Sequence, residues 1–110
     1  MAIQVWYYVS DLEVGLLFYT ATLGFKEVYR DTDEGWARMN RGEMEIGLSE
    51  GERIDAGVAI VDVSDIKAEA ERLRAAGVEI GTILELHNEV RLLDVFDPDG
   101  NRIQLAQTLS

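Results

Sequence analysis

The sequence predicts an α+β fold made of two tandem βαβββ modules, about residues 1–52 and 53–110, joined in a single domain. Three observations predict it. Short apolar strands and one helical stretch follow the same order in each half. The start of the first helical stretch, Val9-Ser10-Asp11-Leu12, is matched by Val63-Ser64-Asp65-Ile66 in the second. Its end, Gly24-Phe25, is matched by Gly77-Val78, with helix lengths one residue apart. A chain of 110 residues buries one modest core, and 47 % hydrophobic against 28 % charged residues is a globular balance.

The elements follow in order. Ile3–Val9 is apolar and aromatic, with the β-branched and ring side chains that suit a pleated surface, and is expected to be a strand. Ser10-Asp11-Leu12-Glu13 supplies a cap with an acidic residue three positions on, so a helix is expected over Asp11–Thr22, with Leu17, Phe18 and Ala21 at helical spacing and Gly24 as its stop. Phe25–Asp31, Gly35–Asn40 and Glu43–Ser49 are expected strands, separated by Asp-Glu-Gly and Asn-Arg-Gly turn residues. In the second half, Gly57–Val63 is a strand and Asp65–Ala75 a helix with Ile66, Ala70 and Leu73 inward. Val78–Leu86, Val90–Phe96 and Arg102–Thr108 complete the module, and Asp97-Pro98-Asp99-Gly100-Asn101 turns between the last two.

Charge and composition exclude several function classes. The formal net charge is −11, split as −5 over residues 1–50 and −6 over 51–110, so neither half hides a basic patch. Nucleic acids and anionic membrane surfaces both call for clustered cations, and neither is an expected partner. The chain has no cysteine, which removes disulfides, thiolate nucleophiles and cysteine-ligated metals, and points to the cytoplasm. MAIQVWYYVSDLE has no basic n-region and meets Asp11 too early for a signal peptide, and no apolar run approaches the ~20 residues that span a membrane. Phosphate-binding glycine loops, a nucleophile elbow and an H-E-x-x-H helix are all missing.

Two segments carry a resemblance to a known family. V-S-D-L-E…F-Y…L-G-F (Val9, Asp11, Phe18, Tyr19, Leu23, Gly24, Phe25) and F-D-P-D-G-N-R-I-Q-L (Phe96 to Leu105) resemble the vicinal oxygen chelate superfamily, which holds glyoxalase I, extradiol dioxygenases, fosfomycin-resistance enzymes and bleomycin-resistance proteins. The resemblance implies that each module curls into a half-barrel with its helix outside, that concave faces enclose a pocket, and that chains of this length form homodimers. It also implies a divalent-metal site on the first and fourth strands of each module. Those positions fall on Gln4, on Gly47 or with a two-residue slip Glu45, on Val58, and on Gln104. A divalent ion needs anionic oxygen or imidazole to offset its dehydration, and two carboxamides with a valine do not supply it, so no metal or other cofactor is expected. Glu45, near a hairpin, reads as solvent-facing, and His87 sits in a polar turn.

If Gln4 lines the pocket, strand alternation brings Trp6 and Tyr8 to the same wall and sends Val5, Tyr7 and Val9 under the helix. The same rule adds Ile60 and Asp62 beside Val58, and Arg102 and Ala106 beside Gln104, while Trp36 and Arg38 share a face of the third strand. Asp97 and Asp99 are turn formers. These residues describe a pocket for a small flat or aromatic ligand, nearer to the bleomycin-resistance branch than to glyoxalase I. The alternative is a glyoxalase-like lyase, dioxygenase or isomerase with an atypical or absent metal site.

Overall fold

The computed structural model describes residues 3–51 and 57–109. The expected boundary between the repeats, near 52 and 53, lies outside them. The element order is β1 (Val5–Val9), α1 (Leu12–Leu17) continued by a π-helical turn over Phe18–Thr22, β2 (Lys26–Asp31), β3 (Trp36–Arg41), β4 (Met44–Glu50), β5 (Ala59–Asp62), α2 (Ile66–Ala75), β6 (Leu84–Leu86), β7 (Val90–Phe96) and β8 (Arg102–Thr108). Two mixed four-stranded sheets result, ordered β1-β4-β3-β2 and β5-β8-β7-β6, each with a parallel pair at one edge, β1–β4 and β5–β8, and two antiparallel pairs. The α+β architecture of two βαβββ modules is therefore as the sequence predicts. The sheets do not close into a barrel, and the molecule is elongated, 46 × 30 × 23 Å.

The repeat extends to the way each helix begins. Asp11 and Asp65 both sit in extended backbone and accept the N–H three residues on, from Val14 and Ala68. The first helical N–H of each, at Leu12 and Ile66, is taken by a side chain from the end of the module's last strand, Glu50 and Gln107 respectively. Gly24 and Gly77 stop the helices in the left-handed region, at φ +75° and +77°, where a side chain would be strained.

The helices cover the convex faces. Tyr7 and Val9 of β1 pack with Leu12, Leu16 and Tyr19, while Val61, Leu93, Ile103 and Leu105 pack with Ile66, Ala70 and Leu73, in one continuous core. Two expectations need correction here. Leu17 is 66 % exposed, because the buried stripe runs through Leu12, Leu16, Tyr19 and Leu23 instead. The π-helical turn, closed by Leu23 N–H on the Phe18 carbonyl at 3.1 Å, carries that stripe into the loop. Val78–Leu86 is not one strand: Ile80 makes an isolated bridge to Val95 and regular pairing begins only at Leu84, where β6 is an exposed edge.

The modules are joined by side chains rather than by a ladder. The Tyr7 hydroxyl accepts the Ala59 N–H at 2.8 Å and donates to the Arg102 carbonyl. Asp97 accepts from the Tyr19 hydroxyl, from the N–H groups of Asp99 and Asn101 and from the Asn101 amide, all within 2.9 Å, and that amide also reaches the Tyr8 carbonyl at 2.8 Å. The turn role read for Asp97 is thus also a bridge to the first module. Burial raises the Tyr7 pKa to about 12, with the Ala59 hydrogen bond opposing it in part, and burial followed by the Asp97 charge raises that of Tyr19.

Candidate functional site

Strand registers decide which residues share the concave faces. In the first module Trp6 pairs with Gly47 and Tyr8 with Ser49, and across β3 Trp36 pairs with Ser49 and Arg38 with Gly47. Neighbours across a ladder point the same way, so Trp6, Tyr8, Trp36, Arg38, Glu45, Gly47 and Ser49 stand on the face opposite α1. Gln4 precedes β1, and its backbone N–H meets the Glu45 carbonyl at 2.9 Å. In the second module Ile60 pairs with Gln104 and Asp94 with Gln104, giving a face of Ile60, Asp62, Asp94, Arg102, Gln104 and Ala106. Val58 precedes β5 and is half-buried.

The first face is an aromatic shelf. The Trp6 ring lies against Gly47, where a Cβ would stand 2.6 Å from the indole, so only glycine lets the ring lie flat there. Trp36 touches Trp6 with centroids 5.7 Å apart and planes tilted 60°. Tyr29 extends the shelf, 5.2 Å from Trp36 and tilted 45°. Above it an open trough of about 410 Å³ is lined by Trp6, Tyr8, Trp36 and Ser49, and Trp6 is 39 % exposed to it.

Strict alternation in β2 would put Tyr29 beside Phe25 on the convex side. A bulge between Glu27 and Tyr29 shifts the register and turns the ring inward. Nothing in the local sequence marks the bulge, so Tyr29 was not readable in advance.

The polar groups on the first face are already committed to one another. Arg38 donates to the Glu45 carboxylate from Nε at 2.8 Å and also from its terminal nitrogen, and Glu45 is 4 % exposed, contrary to its expected solvent-facing position. The ion pair of an arginine fork explains how the carboxylate is tolerated there. The Gln4 amide oxygen accepts the Glu45 N–H at 3.0 Å. On the second face, Asp94 accepts from Gln104 at 3.2 Å and approaches Arg102 at 3.5 Å. Asp94 was missed by sequence reasoning because only the β7–β8 register brings it beside Gln104. A smaller cleft of about 210 Å³ brings Gln4 together with Ile60 and Asp62 near the Arg41-Gly42-Glu43 turn. His87 lies apart, exposed in the β6–β7 hairpin turn at φ 53°.

A family profile for the Glyoxalase/Bleomycin resistance protein/Dioxygenase superfamily matches residues 3–105. The chain belongs to this superfamily. Solved structures agree on the fold. An integron cassette protein from the mobile metagenome of the Halifax Harbour sewage outfall superposes with a TM-score of 0.82 at 21 % identity, covering 93 % of each chain. The fosfomycin resistance protein FosX from Listeria monocytogenes, solved with Mn(II) and sulfate, gives 0.76 at 19 %, covering 94 % of this chain and 86 % of that one. The bleomycin-binding protein from Streptomyces verticillus, solved with copper(II)-bleomycin, gives 0.69 at 25 %, covering 91 % and 89 %. No curated protein matches the sequence significantly.

Membership in this superfamily poses the question of a metal, and the donor chemistry answers it for this chain. The registers make Gly47 the counterpart of Gln104 and Gln4 the counterpart of Val58. Gly47 and Val58 offer no side-chain donor. Gln4 spends its oxygen on a backbone N–H, and the Glu45 carboxylate is held by Arg38. Among the described residues no three His, Asp or Glu side chains gather as a ligand set. These residues do not fit a divalent ion.

Proposed function

We propose that this superfamily chain is a small-molecule-binding protein of the bleomycin-resistance kind, which takes a flat, aromatic ligand on the Trp6–Trp36–Tyr29 shelf without a protein-held metal. The observation that carries the reading is the shelf itself: Trp6 and Tyr29 each packed against Trp36, a trough open above the tryptophans, and a glycine beneath Trp6 that lets the ring lie flat. Rings with polar tips suit flat, partly polar ligands. Gln4, Tyr8 and Arg38 border the shelf on the first module, and Val58, Ile60, Arg102 and Gln104 are the wall the second module offers. The bleomycin-binding protein from Streptomyces verticillus was solved with copper(II)-bleomycin, which supports small-molecule binding on this fold.

We assign a homodimer to the working form. Trp6, Ile60, Leu84 and Leu86 stay exposed on or beside the open sheets of one chain, more apolar surface than a small protein ordinarily leaves wet. The cysteine-free composition supports a cytoplasmic setting, and among the described residues no helix is long and apolar enough to cross a membrane.

The test is a titration of fused-ring compounds, neutral and cationic, in the presence of a chelator, followed by tryptophan fluorescence and by the melting temperature. Saturable quenching with a raised melting temperature is expected, lost in Trp6→Ala and Trp36→Ala and kept in Leu17→Ala, an exposed position of α1 on the other side of the sheet. Binding that survives both tryptophan substitutions, or turnover of a compound that requires added metal, overturns the proposal.

A further inference from the structure

On the helix side of the molecule the two modules leave a second opening between them. Where the helices end, a cleft of about 360 Å³ is lined by Phe18 and Thr22 of the π-helical turn, by Gly77, Val78 and Glu79 after α2, and by Asp97. Small-molecule sites run from roughly 300 to 1,000 Å³, so the cleft is large enough for a compact ligand. Gly77 stops α2 in the left-handed region and also keeps the cleft open, since a Cβ there would meet nothing within 4 Å. Phe18 and Val78 pack against the core while remaining partly exposed, which gives the cleft apolar walls. None of its lining residues lines the trough above the tryptophans.

The charge of this cleft has one sign. Asp97 is 5 % exposed, and its donors, the Tyr19 hydroxyl, the Asp99 and Asn101 N–H groups and the Asn101 amide, are all neutral. They satisfy the lone pairs of the carboxylate and leave its charge without a counter-ion, because no arginine or lysine among the described residues pairs with it. Glu79, exposed at the rim, adds a second negative charge, and the end of α2 at Gly77 adds the negative end of a helix dipole. No lysine or arginine lines the cleft. Arg72, in the last turn of α2, donates instead to the Thr22 carbonyl at 2.6 Å and to Glu69 at 3.2 Å. A buried charge without a counter-ion is costly, and a cation entering beside it recovers Coulomb energy.

We propose that this cleft is a second binding site, separate from the shelf, for a small organic cation: an ammonium group carried on a compact apolar body. The body lies against Phe18 and Val78, and the ammonium donates to Glu79. Asp97 has spent its lone pairs, so it acts on the ligand through its field. A carboxylate of the same shape finds no cation to pair with and is refused. The ligand touches both modules beside the Tyr19–Asp97 bridge, so its binding stabilises their union.

The test titrates the full chain at neutral pH with benzylammonium, benzyl alcohol and benzoate, three probes that share one ring and differ in charge. Amide NMR shifts locate the binding and the melting temperature reports its linkage to folding. Benzylammonium should saturate, move the Gly77, Val78 and Asp97 amide signals, raise the melting temperature and bind at least about tenfold more tightly than the alcohol. Benzoate should not bind. Glu79→Gln should weaken the cation by about threefold or more, and Ala76→Lys, which sets a cation at the rim, should abolish its binding. Both positions are exposed, so either variant can carry the test if the other fails to fold. Shifts at the tryptophan indoles in place of these amides, an alcohol that binds as tightly as the cation, or binding undiminished in Ala76→Lys each overturns the inference. So does a cation that shows no saturation up to about 10 mM. The shelf is read separately by the fused-ring titration, so either site can fail while the other stands.

Discussion

The two modules share a fold and differ in what they were given to work with. Eight of the nine aromatic residues lie in the first repeat, and the second has only Phe96. The first module uses its rings in two places. Tyr7 and Tyr19 point their hydroxyls from the convex core into the second module, while Trp6, Trp36 and Tyr29 form the shelf on the other side of the same sheet. The second module contributes acceptors, the Arg102 carbonyl and the Asp97 carboxylate, and a concave face of Ile60, Gln104 and Asp94. Capping residues, helix stops and registers are repeated because both modules must fold alike. The inward side chains have diverged, and on the proposed binding reading the rings of the first module would set ligand selectivity.

The strongest way to break the comparison is at the joint. Asp97→Ala leaves the Tyr19 hydroxyl, the Asp99 and Asn101 N–H groups and the Asn101 amide without their acceptor in a buried site. A loss of about 3 kcal/mol or more is expected, since each unsatisfied buried group costs on the order of 1–3 kcal/mol. That corresponds to a fall of roughly 10 °C or more in melting temperature. A melt unchanged within a few degrees would show that the two modules hold together without this bridge.

Alkaline pH probes the same joint from the first module. The Tyr7 pKa is raised to about 12 by burial, and that of Tyr19 is raised by burial and the Asp97 charge. A raised folded-state value means that the neutral phenol is favoured on folding, so the stability it contributes is complete below pH 10 and is lost as pH climbs from 10 toward 12. About 2–3 kcal/mol is expected to go through Tyr7 alone by pH 12, at 1.36 kcal/mol for each unit. Denaturant unfolding at pH 8, 10 and 11 checks it: Tyr7→Phe should start less stable, with the Ala59 N–H unpartnered, and decline less steeply than the wild type.

Much of this contrast was legible in the chain. The repeated V-S-D caps and the paired glycines gave the module order, and alternation from Gln4 placed Trp6 and Tyr8 inward and Tyr7 under the helix. Long-range pairing was not legible. Glu45 was placed in solvent because a carboxylate near a turn ordinarily lies there, and only the diagonal Arg38 on the next strand makes burial tolerable. Tyr29 needed a bulge, Asp94 needed the β7–β8 register, and the Leu17, Phe18 and Ala21 spacing does not follow the buried stripe, which runs through Leu12, Leu16, Tyr19 and Leu23.

The equivalent positions Gly47 and Gln104 sharpen the comparison at smaller cost. A side chain at 47 must displace the Trp6 indole, so Gly47→Val is expected to lose about 1–3 kcal/mol, the usual cost of overpacking, and to shift the tryptophan emission. Gln104→Val, on a face with no ring above it, should stay within about 1 kcal/mol and leave the emission unchanged. Equal effects at the two sites would mean that the Trp6 contact with Gly47 is not what separates the modules.

The smallest expected effect is none at all, and it concerns the metal. The positions at which superfamily relatives would be expected to hold an ion are here Gln4, Gly47, Val58 and Gln104, of which two lack a donor and one carboxamide is bound to a backbone N–H. An ion that binds only the folded chain, present at about 100 times its dissociation constant, would stabilise it by about 2.7 kcal/mol. For a domain of this size that raises the melting temperature by several degrees, well within detection. Melts in chelator and in added zinc, nickel, manganese or iron(II) should therefore coincide. Among the described residues Glu45 is the carboxylate placed beside Gln4 and Gly47 on the first module's face, and to hold an ion it would first have to leave Arg38. A metal-dependent shift that disappears in Glu45→Gln would show that this exchange happens and that the first module's face is a metal centre after all. A shift that disappears only in Gln104→Ala would move the chemistry to the second module and reverse the contrast between the two.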